Sequence, residues 1–342
     1  MNPIRILHVA NHNFFKYGTS FYLTERKIQN GLVRNGHFSF EFSYREVARW
    51  ENIFRTSKMG LKSMNRRLLE AIEIVRPEVI LFGHCELVFP ETFHNIRKRT
   101  PQTHLALWYA DSYVFPKKYK QLSERAALVD TVFTTTGGDL LRSLKKPNNR
   151  VAFLPNIADP SIERYRNFEK SDLPLDFIYC GRDYNPERTE RLRKLIAALA
   201  DIRYEVWGCL EKPALTGQAY YDKLSQAAVS LNLSHREDIP FYTSSRLVQL
   251  TGCGLLTLCP RTPGMDILFG EDEIVYYQSD EDLIDKILYY IEHSDERRRV
   301  AEKGWSRAHT SYSPERVTQF MVETIFHQQY SQDYEWLSEV VI

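Results

Sequence analysis

Short apolar runs and longer amphipathic segments alternate along the first half of the chain. Apolar runs of strand length occur in RILHVAN (5–11), FSFEFSY (38–44), EVILFGH (78–84) and HLALWYAD (104–111), with shorter ones at 130–136 and 151–154. The segments between them, at 20–34, 60–75 and 90–99, carry apolar residues at helical spacing. Since consecutive parallel strands need a crossover helix, this order predicts a doubly wound α/β domain over residues 1–165.

The second half repeats the same alternation. Predicted strands lie at 176–180, 204–208, 229–233 and 255–259, and predicted helices at 187–200, 218–228 and 244–251. The polar segment 159–173 is bounded by Pro160 and Pro174, so we interpret it as a linker before a second α/β domain over 166–318. Apolar residues at helical spacing around 317–325 predict a C-terminal helix in segment 319–342.

The net charge of +1 conceals a difference between the two halves. Residues 1–165 carry 25 Lys and Arg against 15 Asp and Glu, whereas residues 166–342 carry 20 against 29. A basic first domain suits an anionic membrane face or a phosphate-linked acceptor. No nucleic-acid recognition motif and no interleaved basic and aromatic pattern is present, so we expect no nucleic-acid partner.

Composition also limits which cellular compartment and which cofactors we expect. No run of 18 apolar residues occurs, and the opening MNPIRILHVANHN lacks a signal-peptide pattern, so we expect a cytoplasmic protein that can work at the inner face of a membrane. Five cysteines are expected to be reduced core thiols. No His or Cys ligand spacing indicates a metal, and we interpret the acidic run 280–282 as a helix cap.

One stretch, residues 229–270, concentrates the candidate chemistry. It predicts a buried strand, a polar loop, a short helix and then a second strand with a Pro-Gly turn that opens another helix. Helix N-termini and arginine forks bind phosphates, so Ser244, Ser245, Arg246 and the backbone after Pro263 predict one diphosphate site. Gly181, at the end of an earlier strand, lets a ligand approach the backbone, although a plain turn explains it as well.

These motifs resemble the donor half of GT-B glycosyltransferases of the group-1 clan, and in particular the CgeB-like branch. The resemblance rests on Ser244, Arg246, Gly252 and Gly254, then on 261–264 (RTPG) and Phe269, and it covers about residues 175–318. It implies an α/β GT-B fold, in which two Rossmann-like domains face a cleft and a C-terminal helix crosses back to the first domain. It also implies a nucleotide-sugar donor without a metal or other cofactor, and these donor-binding residues: Gly181, Arg188, Asn232, Ser244, Ser245, Arg246, Gln249, Gly264 and Met265.

The chain departs from the family pattern at three places. Gln249 stands where the family has a Glu that holds the ribose hydroxyls, and Phe241 stands where retaining relatives carry another Glu. The loop after the first strand has one glycine, Gly18, instead of two. These departures leave open whether the anomeric configuration is inverted or retained.

The first domain supplies candidates for the acceptor side. Asp111, at the end of the fourth strand, or His12, in the loop after the first, would take the proton of the acceptor hydroxyl. Gly18, His84 and Glu86 are candidate acceptor-binding residues at the same edge of the sheet. The alternatives are that Asp111 caps a turn and that the histidines are buried and structural.

Together these observations predict a metal-independent glycosyltransferase that moves a sugar to a hydroxyl of a saccharide or lipid-linked acceptor, in surface polysaccharide or glycoconjugate biosynthesis. The alternative is a non-catalytic GT-B-fold binding or scaffold protein of an envelope polysaccharide assembly system. A third hypothesis is a nucleotide-sugar epimerase, for which Asp183, Glu237 and Asp238 are the nearby acids. Segment 53–69, basic and apolar, is either a membrane contact or an ordinary amphipathic helix.

Overall fold

The structure is a computed structural model that describes residues 2–182, 186–234 and 236–342. Strands in the first half are β1 (Arg5–Ala10), β2 (Phe38–Ser43), β3 (Val79–Gly83), β4 (His104–Tyr109), β5 (Thr131–Thr134) and β6 (Arg150–Phe153). The helices between them are α1 (Thr24–Arg34), α2 (Tyr44–Trp50), α3 (Leu61–Val75), α4 (Pro90–Arg99), α5 (Pro116–Ala126) and α6 (Gly138–Arg142).

The second half continues the alternation of strands and helices. It contains β7 (Leu175–Cys180), α7 (Pro186–Ala198), β8 (Tyr204–Trp207), α8 (Gln218–Leu224), β9 (Ala227–Leu231), α9 (Arg246–Gly252), β10 (Leu256–Pro260), α10 (Met265–Leu268) and β11 (Val275–Tyr277). The last elements are α11 (Asp280–Glu292), α12 (Ser294–Ser311), α13 (Pro314–Ile325) and the short strand β12 (Val340–Val341).

The chain divides into two compact units. The first unit is Met1–Pro155 with Pro314–Ile342, and the second unit is Asn156–Ser313. The first unit's sheet has the order β12-β6-β5-β4-β3-β1-β2, in which only β12 is antiparallel to its neighbour among the described pairs. The second unit's sheet has the order β11-β10-β9-β7-β8, and its described pairs are parallel. The predicted α/β class with two Rossmann-like sheets is therefore confirmed.

Burial explains why these residues form parallel strands. Every residue of β3, β5, β9 and β10 is buried, as strands covered by helices on both faces require. The exposed positions concentrate on the edge strand β2 of the first unit and on β8 of the second. The central strands therefore carry apolar runs, whereas β2 shows alternation.

The C-terminal helix packs on α1 and ends at Ile325, so residues 326–342 of the predicted helix are not α-helical. A Cβ atom at Gly31 of α1 would lie 2.2 Å from the Pro314 carbonyl oxygen, so only glycine permits this close approach of the two backbones. Phe320 of α13 packs edge-on against Phe133 of β5 and Trp336. The helix begins at Pro314, five residues before the predicted start of that segment at 319.

The interpretation of 159–173 as a linker is wrong. These residues belong to the second unit, and the charged or polar side chains of Asp159, Glu163 and Asn167 are buried there. Glu163 accepts hydrogen bonds from the Tyr221 hydroxyl at 2.5 Å and from the Asp159 amide at 2.8 Å. The polar composition therefore reflects a buried hydrogen-bond network, so residues 156–165, predicted for the first domain, lie in the second unit.

Segment 53–69 is only partly helical. Residues 51–60 form turns, and α3 begins at Leu61 with Met64 and Leu68 buried in the first unit. Among the described residues, no helix is both long enough and apolar enough to cross a bilayer.

Candidate active site

The carboxyl ends of β7 and β9 meet at one edge of the second unit's sheet. These two strands are neighbours and run parallel, so the residues that follow them, Gly181 and Asn232, lie at the same edge. Arg246, the first residue of α9, reaches this edge, since its Nη1 donates to the Leu233 carbonyl oxygen at 3.3 Å. The structure thus brings together three of the predicted donor-binding residues.

Gly181, Tyr179 and Arg246 converge more closely still. A Cβ atom at Gly181 would lie 2.5 Å from the Tyr179 hydroxyl and 2.9 Å from Arg246 Nη2, so any side chain there would displace one of them. The Arg246 guanidinium lies 5.3 Å from the centroid of the Tyr179 ring. Among the described residues no carboxylate pairs with Arg246, and the buried Tyr179 hydroxyl has no hydrogen-bond partner. This point therefore offers an uncompensated cation and an unused hydroxyl to an anion.

Asn232 holds the loop that carries Arg246. Its buried Nδ2 donates to Thr243 Oγ1 at 3.0 Å, and its Oδ1 accepts from the Ser244 hydroxyl at 3.0 Å. Ser244 Oγ in turn accepts from the Arg246 amide at 3.3 Å. Both ends of the Asn232 amide and the Ser244 hydroxyl are thus used to position Arg246. Ser245 is exposed beside them and makes no side-chain cap bond.

Gln249 is buried inside the second unit. Its Oε1 accepts a hydrogen bond from the Tyr220 hydroxyl at 3.0 Å. A Glu at this place would accept from the same hydroxyl and carry a charge, whereas Gln keeps the acceptor and remains neutral. The family role in ribose binding would therefore fall to the Gln249 amide nitrogen, which donates to no described residue.

The Pro263-Gly264 turn differs from the predicted phosphate-binding helix start. Gly264 has a φ of +77°, and a Cβ atom there would lie 2.7 Å from the buried Phe241 ring, so Phe241 covers this turn. The Met265 amide already donates to the Thr262 carbonyl oxygen at 3.1 Å, and the Met265 side chain is fully buried. Because α10 has only four residues, its dipole is small as well. The prediction that the Met265 amide faces a diphosphate is contradicted by this geometry.

Arg188 lies near the loop after β7. It is half-buried at the start of α7, and its guanidinium donates to the Arg182 carbonyl oxygen.

Of the acids considered for an epimerase, Glu237 pairs with Arg191 at 3.0 Å and Asp238 pairs with Arg236. Asp183 lies outside the described residues. Both described acids are therefore neutralised by arginines.

The first unit presents its own polar edge at the carboxyl ends of β3 and β4. Asp111 follows β4 and is 60% exposed, with Lys118 Nζ at 3.7 Å and His84 Nδ1 at 3.9 Å from its Oδ2. Burial lowers the pKa of His84 to about 4, so His84 is neutral at pH 7. Its Nε2 accepts from the Ala110 amide at 3.5 Å, which leaves the proton on Nδ1, toward Asp111. Asp111 and His84 are thus brought together as predicted acceptor-side residues.

Glu86 is held in place from two sides. The Tyr44 hydroxyl donates to one of its carboxylate oxygens, and Arg45 pairs with the other. Arg125 donates to the Glu86 carbonyl oxygen at 2.9 Å. An acceptor that contacts the Glu86 carboxylate would therefore also contact Arg45, which is exposed.

His12 lies in a buried network. Its side chain is fully shielded from solvent, Phe14 stacks on its ring, and its Nε2 bonds to the His8 carbonyl oxygen at 3.1 Å. Burial lowers the pKa of His12, and its Nδ1 lies 3.6 Å from Glu41. This burial contradicts the prediction of His12 as an accessible base, because neither ring nitrogen is open to an acceptor.

A cavity of about 190 Å³ lies between the loop after β1 and the start of α1. Gly18 lines it and has a φ of +84°, with open space where a Cβ atom would stand. The other polar lining residues are Asn11, His12, Asn13, Ser20, Glu25 and Arg26. This is the loop in which the family pattern has two glycines and this chain has one, Gly18.

Glu25 is a candidate that the sequence analysis missed. It is half-buried in this cavity, and burial raises the pKa of its carboxyl to about 7, with Asp111 adding to the shift and Arg45 and Lys16 opposing it. In the sequence Glu25 looks like an ordinary acid in the first turn of a helix. Only the packing of α1 under its preceding loop reveals a carboxyl that titrates near neutral pH.

The five cysteines lie in the core, as expected. All of them are buried. Burial raises the pKa of Cys85, Cys180 and Cys259 to about 12, so these thiols stay protonated at neutral pH and are not nucleophiles.

The raised pKa of Glu25 predicts a pH-dependent stability. Between pH 4.5 and 7 the carboxyl holds a proton in the folded chain and loses it in the unfolded chain, so its contribution to stability falls as the pH rises. We expect Glu25→Gln to raise the free energy of unfolding by about 1–3 kcal/mol at pH 8 and to change it little at pH 4. Urea unfolding at both pH values measures this difference. The exposed Glu124→Gln is the control, and an equal effect of Glu25→Gln at both pH values would contradict the prediction.

Comparisons with known proteins identify a matching family model and similar folds. Residues 188–323 match a family model described as glycosyl transferase-like. The chain is similar to sucrose-phosphate synthase from Thermosynechococcus elongatus, with a TM-score of 0.63, 12% identity and coverage of 95% of this chain and 98% of that one. It is also similar to HepE from Anabaena in complex with UDP, with a TM-score of 0.57, 10% identity and coverage of 95% and 100%.

A UDP-N-acetylglucosamine 2-epimerase is a further structural neighbour, with a TM-score of 0.51, 10% identity and coverage of 97% of this chain and 100% of that one. No curated protein sequence matches the chain significantly. At these identities the structural likenesses show the fold alone. The chain has the α/β fold of the GT-B glycosyltransferases, with two Rossmann-like units, and the glycosyl transferase-like match covers most of the second unit and extends into the C-terminal helix.

Proposed function

We propose that the chain is a glycosyltransferase that moves a sugar from a nucleotide-sugar donor to a hydroxyl of a saccharide or lipid-linked acceptor. The observation that carries this proposal is the convergence of Arg246, Tyr179 and Gly181 in the second unit. An arginine fork and an unpartnered hydroxyl are groups that bind a diphosphate. The glycosyl transferase-like match and the UDP complex of the similar HepE support a nucleotide donor.

In the proposed reaction the acceptor oxygen attacks the anomeric carbon of the donor sugar, and the bond from that carbon to the diphosphate breaks. Arg246 and Arg188 would stabilise the negative charge that develops on the leaving diphosphate, without a metal ion. Asp111, exposed and flanked by Lys118 and His84, would take the proton of the acceptor hydroxyl. A role of Asp111 as general base corresponds to an inverting reaction.

Gln249 would keep a polar group for the ribose in place of the family's Glu. Its Oε1 is occupied by Tyr220, so its amide nitrogen would donate to a ribose hydroxyl instead of accepting from it. A non-catalytic scaffold remains the competing hypothesis. Turnover of a nucleotide-sugar distinguishes the two, since a scaffold would bind nucleotide without releasing sugar.

An exposed apolar patch supports a lipid-linked acceptor at a membrane. The patch includes residues of the turn after α2 and of the loop after β1. Ile53, in the turn after α2, is 90% exposed. Its other exposed apolar members are Phe14, Phe15, Tyr17, Trp50, Phe54 and Met59. The same two segments, the end of α2 and the start of α3 carry the exposed cations Lys16, Arg49, Arg55, Lys58 and Lys62. Exposed apolar side chains together with cations suit an anionic bilayer surface, and this patch would bring the first unit to a lipid-linked acceptor.

Two variants test the proposed donor site. We expect Arg246→Ala to weaken nucleoside diphosphate binding about 10- to 100-fold, because it removes a charged hydrogen bond to phosphate. We expect Tyr179→Phe to weaken binding about 3- to 10-fold without lowering the melting temperature, since the buried hydroxyl has no partner in the fold. Calorimetric titration with UDP, GDP and ADP, followed by thermal unfolding, measures both effects.

The control for this titration is Arg299→Ala, which removes an exposed arginine of α12 in the same unit. It should leave nucleotide binding unchanged. Binding of none of the three nucleotides, or equal binding by wild type and Arg246→Ala, would refute the donor site. Tight nucleotide binding without turnover of any nucleotide-sugar would favour the scaffold.

The apolar patch predicts binding to anionic vesicles. We expect the double variant Ile53→Glu, Phe54→Glu to lose at least about tenfold in affinity for phosphatidylglycerol vesicles, because each buried apolar side chain contributes about 1.5–3 kcal/mol. Vesicle sedimentation measures the bound fraction. Ile74→Glu, at an 81% exposed position of α3 outside the patch, is the matched control. If the wild type ignores anionic vesicles, or if the control loses as much affinity, the membrane contact is wrong.

A further inference from the structure

A cavity of the first unit lies at the edge of the sheet opposite to Asp111. Its volume is about 560 Å³. It borders His104 and Arg150, the first residues of β4 and β6, and Asp130, which precedes β5. The parallel strands begin at this edge, whereas Asp111, His84 and Glu25 belong to the edge where they end. The cavity is therefore separate from the proposed acceptor site.

Cations dominate the lining of this cavity. Arg97, Lys145 and Arg150 line it together with two histidines, His104 and His327, against one side-chain carboxylate, Asp130, and the last residue of the chain, Ile342. That carboxylate is already committed, since Arg97 Nη2 lies 2.5 Å from its Oδ1 and the Leu105 amide donates to its Oδ2 at 2.8 Å. Asp130 is therefore not available to neutralise the remaining cations.

Arg150 and Lys145 have no carboxylate partner among the described residues. The Arg150 guanidinium instead contacts Nδ1 of His327, and Lys145 Nζ donates to the Lys146 carbonyl oxygen at 2.7 Å. Burial lowers the pKa of Arg150, and burial together with Arg150 and His104 lowers the pKa of His327. A partly desolvated guanidinium that faces a neutral imidazole is an incompletely compensated charge.

We propose that this cavity is a binding site for a small phosphate monoester. The Arg150 fork would bind two phosphate oxygens, and Lys145 would supply a further charged donor. The cavity volume lies in the range of small-molecule sites and is much larger than a phosphate ion, so the phosphate would carry an organic group. His104, Gln102 and Asn148 provide polar contacts for that group.

This site does not depend on the proposed sugar transfer. Its residues lie in the first unit, and none of them belongs to the donor or acceptor residues named above. A phosphorylated metabolite bound here would contact α4, the β6 strand and the segment after α13 together.

Titration of the whole chain with glucose 6-phosphate tests the proposal. We expect binding of glucose 6-phosphate and no binding of glucose. Arg150→Gln should weaken the affinity for glucose 6-phosphate at least about tenfold, the loss expected for one charged hydrogen bond. Lys145→Gln, in a loop position, should weaken it as well, which keeps the test valid if the Arg150 variant unfolds. Lys98→Gln removes an exposed cation of the adjacent α4 and should change nothing.

Three results would overturn the proposal. These are no binding of glucose 6-phosphate by the wild type, equal affinity in the Lys145→Gln and Lys98→Gln variants, or binding of glucuronate as tight as that of glucose 6-phosphate. The last result would indicate a general anion site instead of a phosphate site. Nucleoside diphosphate binding should stay unchanged in all three variants, so the outcome is independent of the donor site.

Discussion

The buried amide of Asn232 is the interaction on which the candidate donor site depends. Asn232 follows β9 and uses both ends of its amide to hold Thr243 and Ser244, the residues that lead into α9. Because Ser244 Oγ then accepts from the Arg246 amide, the arginine is fixed at the carboxyl end of the sheet. There it meets Gly181, where a side chain would collide with Tyr179. A strand end, a short loop and a glycine thus define the proposed anion-binding point.

This arrangement has a cost that a ligand would offset. A cation without a carboxylate and a buried hydroxyl without a partner are unfavourable in the empty protein. A bound diphosphate would supply acceptors to both groups. The same reasoning applies to Arg150 at the far edge of the first unit, where the imidazole of His327 is the only described partner of the guanidinium side chain. Incomplete local compensation is the feature that these two places share.

The sequence predicts most of the fold because apolar runs and helical spacing are local. The helix at 90–99 and strands β1–β10 lie close to where the pattern places them, whereas β11 and β12 are not predicted. The C-terminal helix packs on the first unit. The prediction of a linker at 159–173 is wrong because composition does not reveal which side chains find hydrogen-bond partners. Glu163 and Asn167 look like solvent-exposed residues in the sequence. In the structure both are buried and hydrogen-bonded, since the Tyr221 hydroxyl donates to Glu163 and the Asn167 amide donates to backbone carbonyl oxygens at the end of α8 and the start of β9.

The candidate site is predicted less well, since its details are set by contacts between distant segments. The sequence identifies Arg246 and Gly181, but their meeting with Tyr179 depends on the order of the strands. The sequence predicts that the Met265 amide binds a diphosphate, although this amide donates to the Thr262 carbonyl oxygen. It also predicts His12 as a base, although the His12 ring is covered by Phe14. Glu25 escapes notice because its pKa follows from burial under a loop, which no spacing rule encodes.

The account's central claim is that a diphosphate binds between Arg246 and Tyr179 in the second unit. A crystal structure of the chain with UDP tests this claim most directly. The account predicts diphosphate oxygens within hydrogen-bonding distance of the Arg246 guanidinium and the Tyr179 hydroxyl, close to the Gly181 backbone. A diphosphate bound elsewhere, with the Arg246 guanidinium still on the Leu233 carbonyl and the Tyr179 hydroxyl still unpartnered, would contradict it.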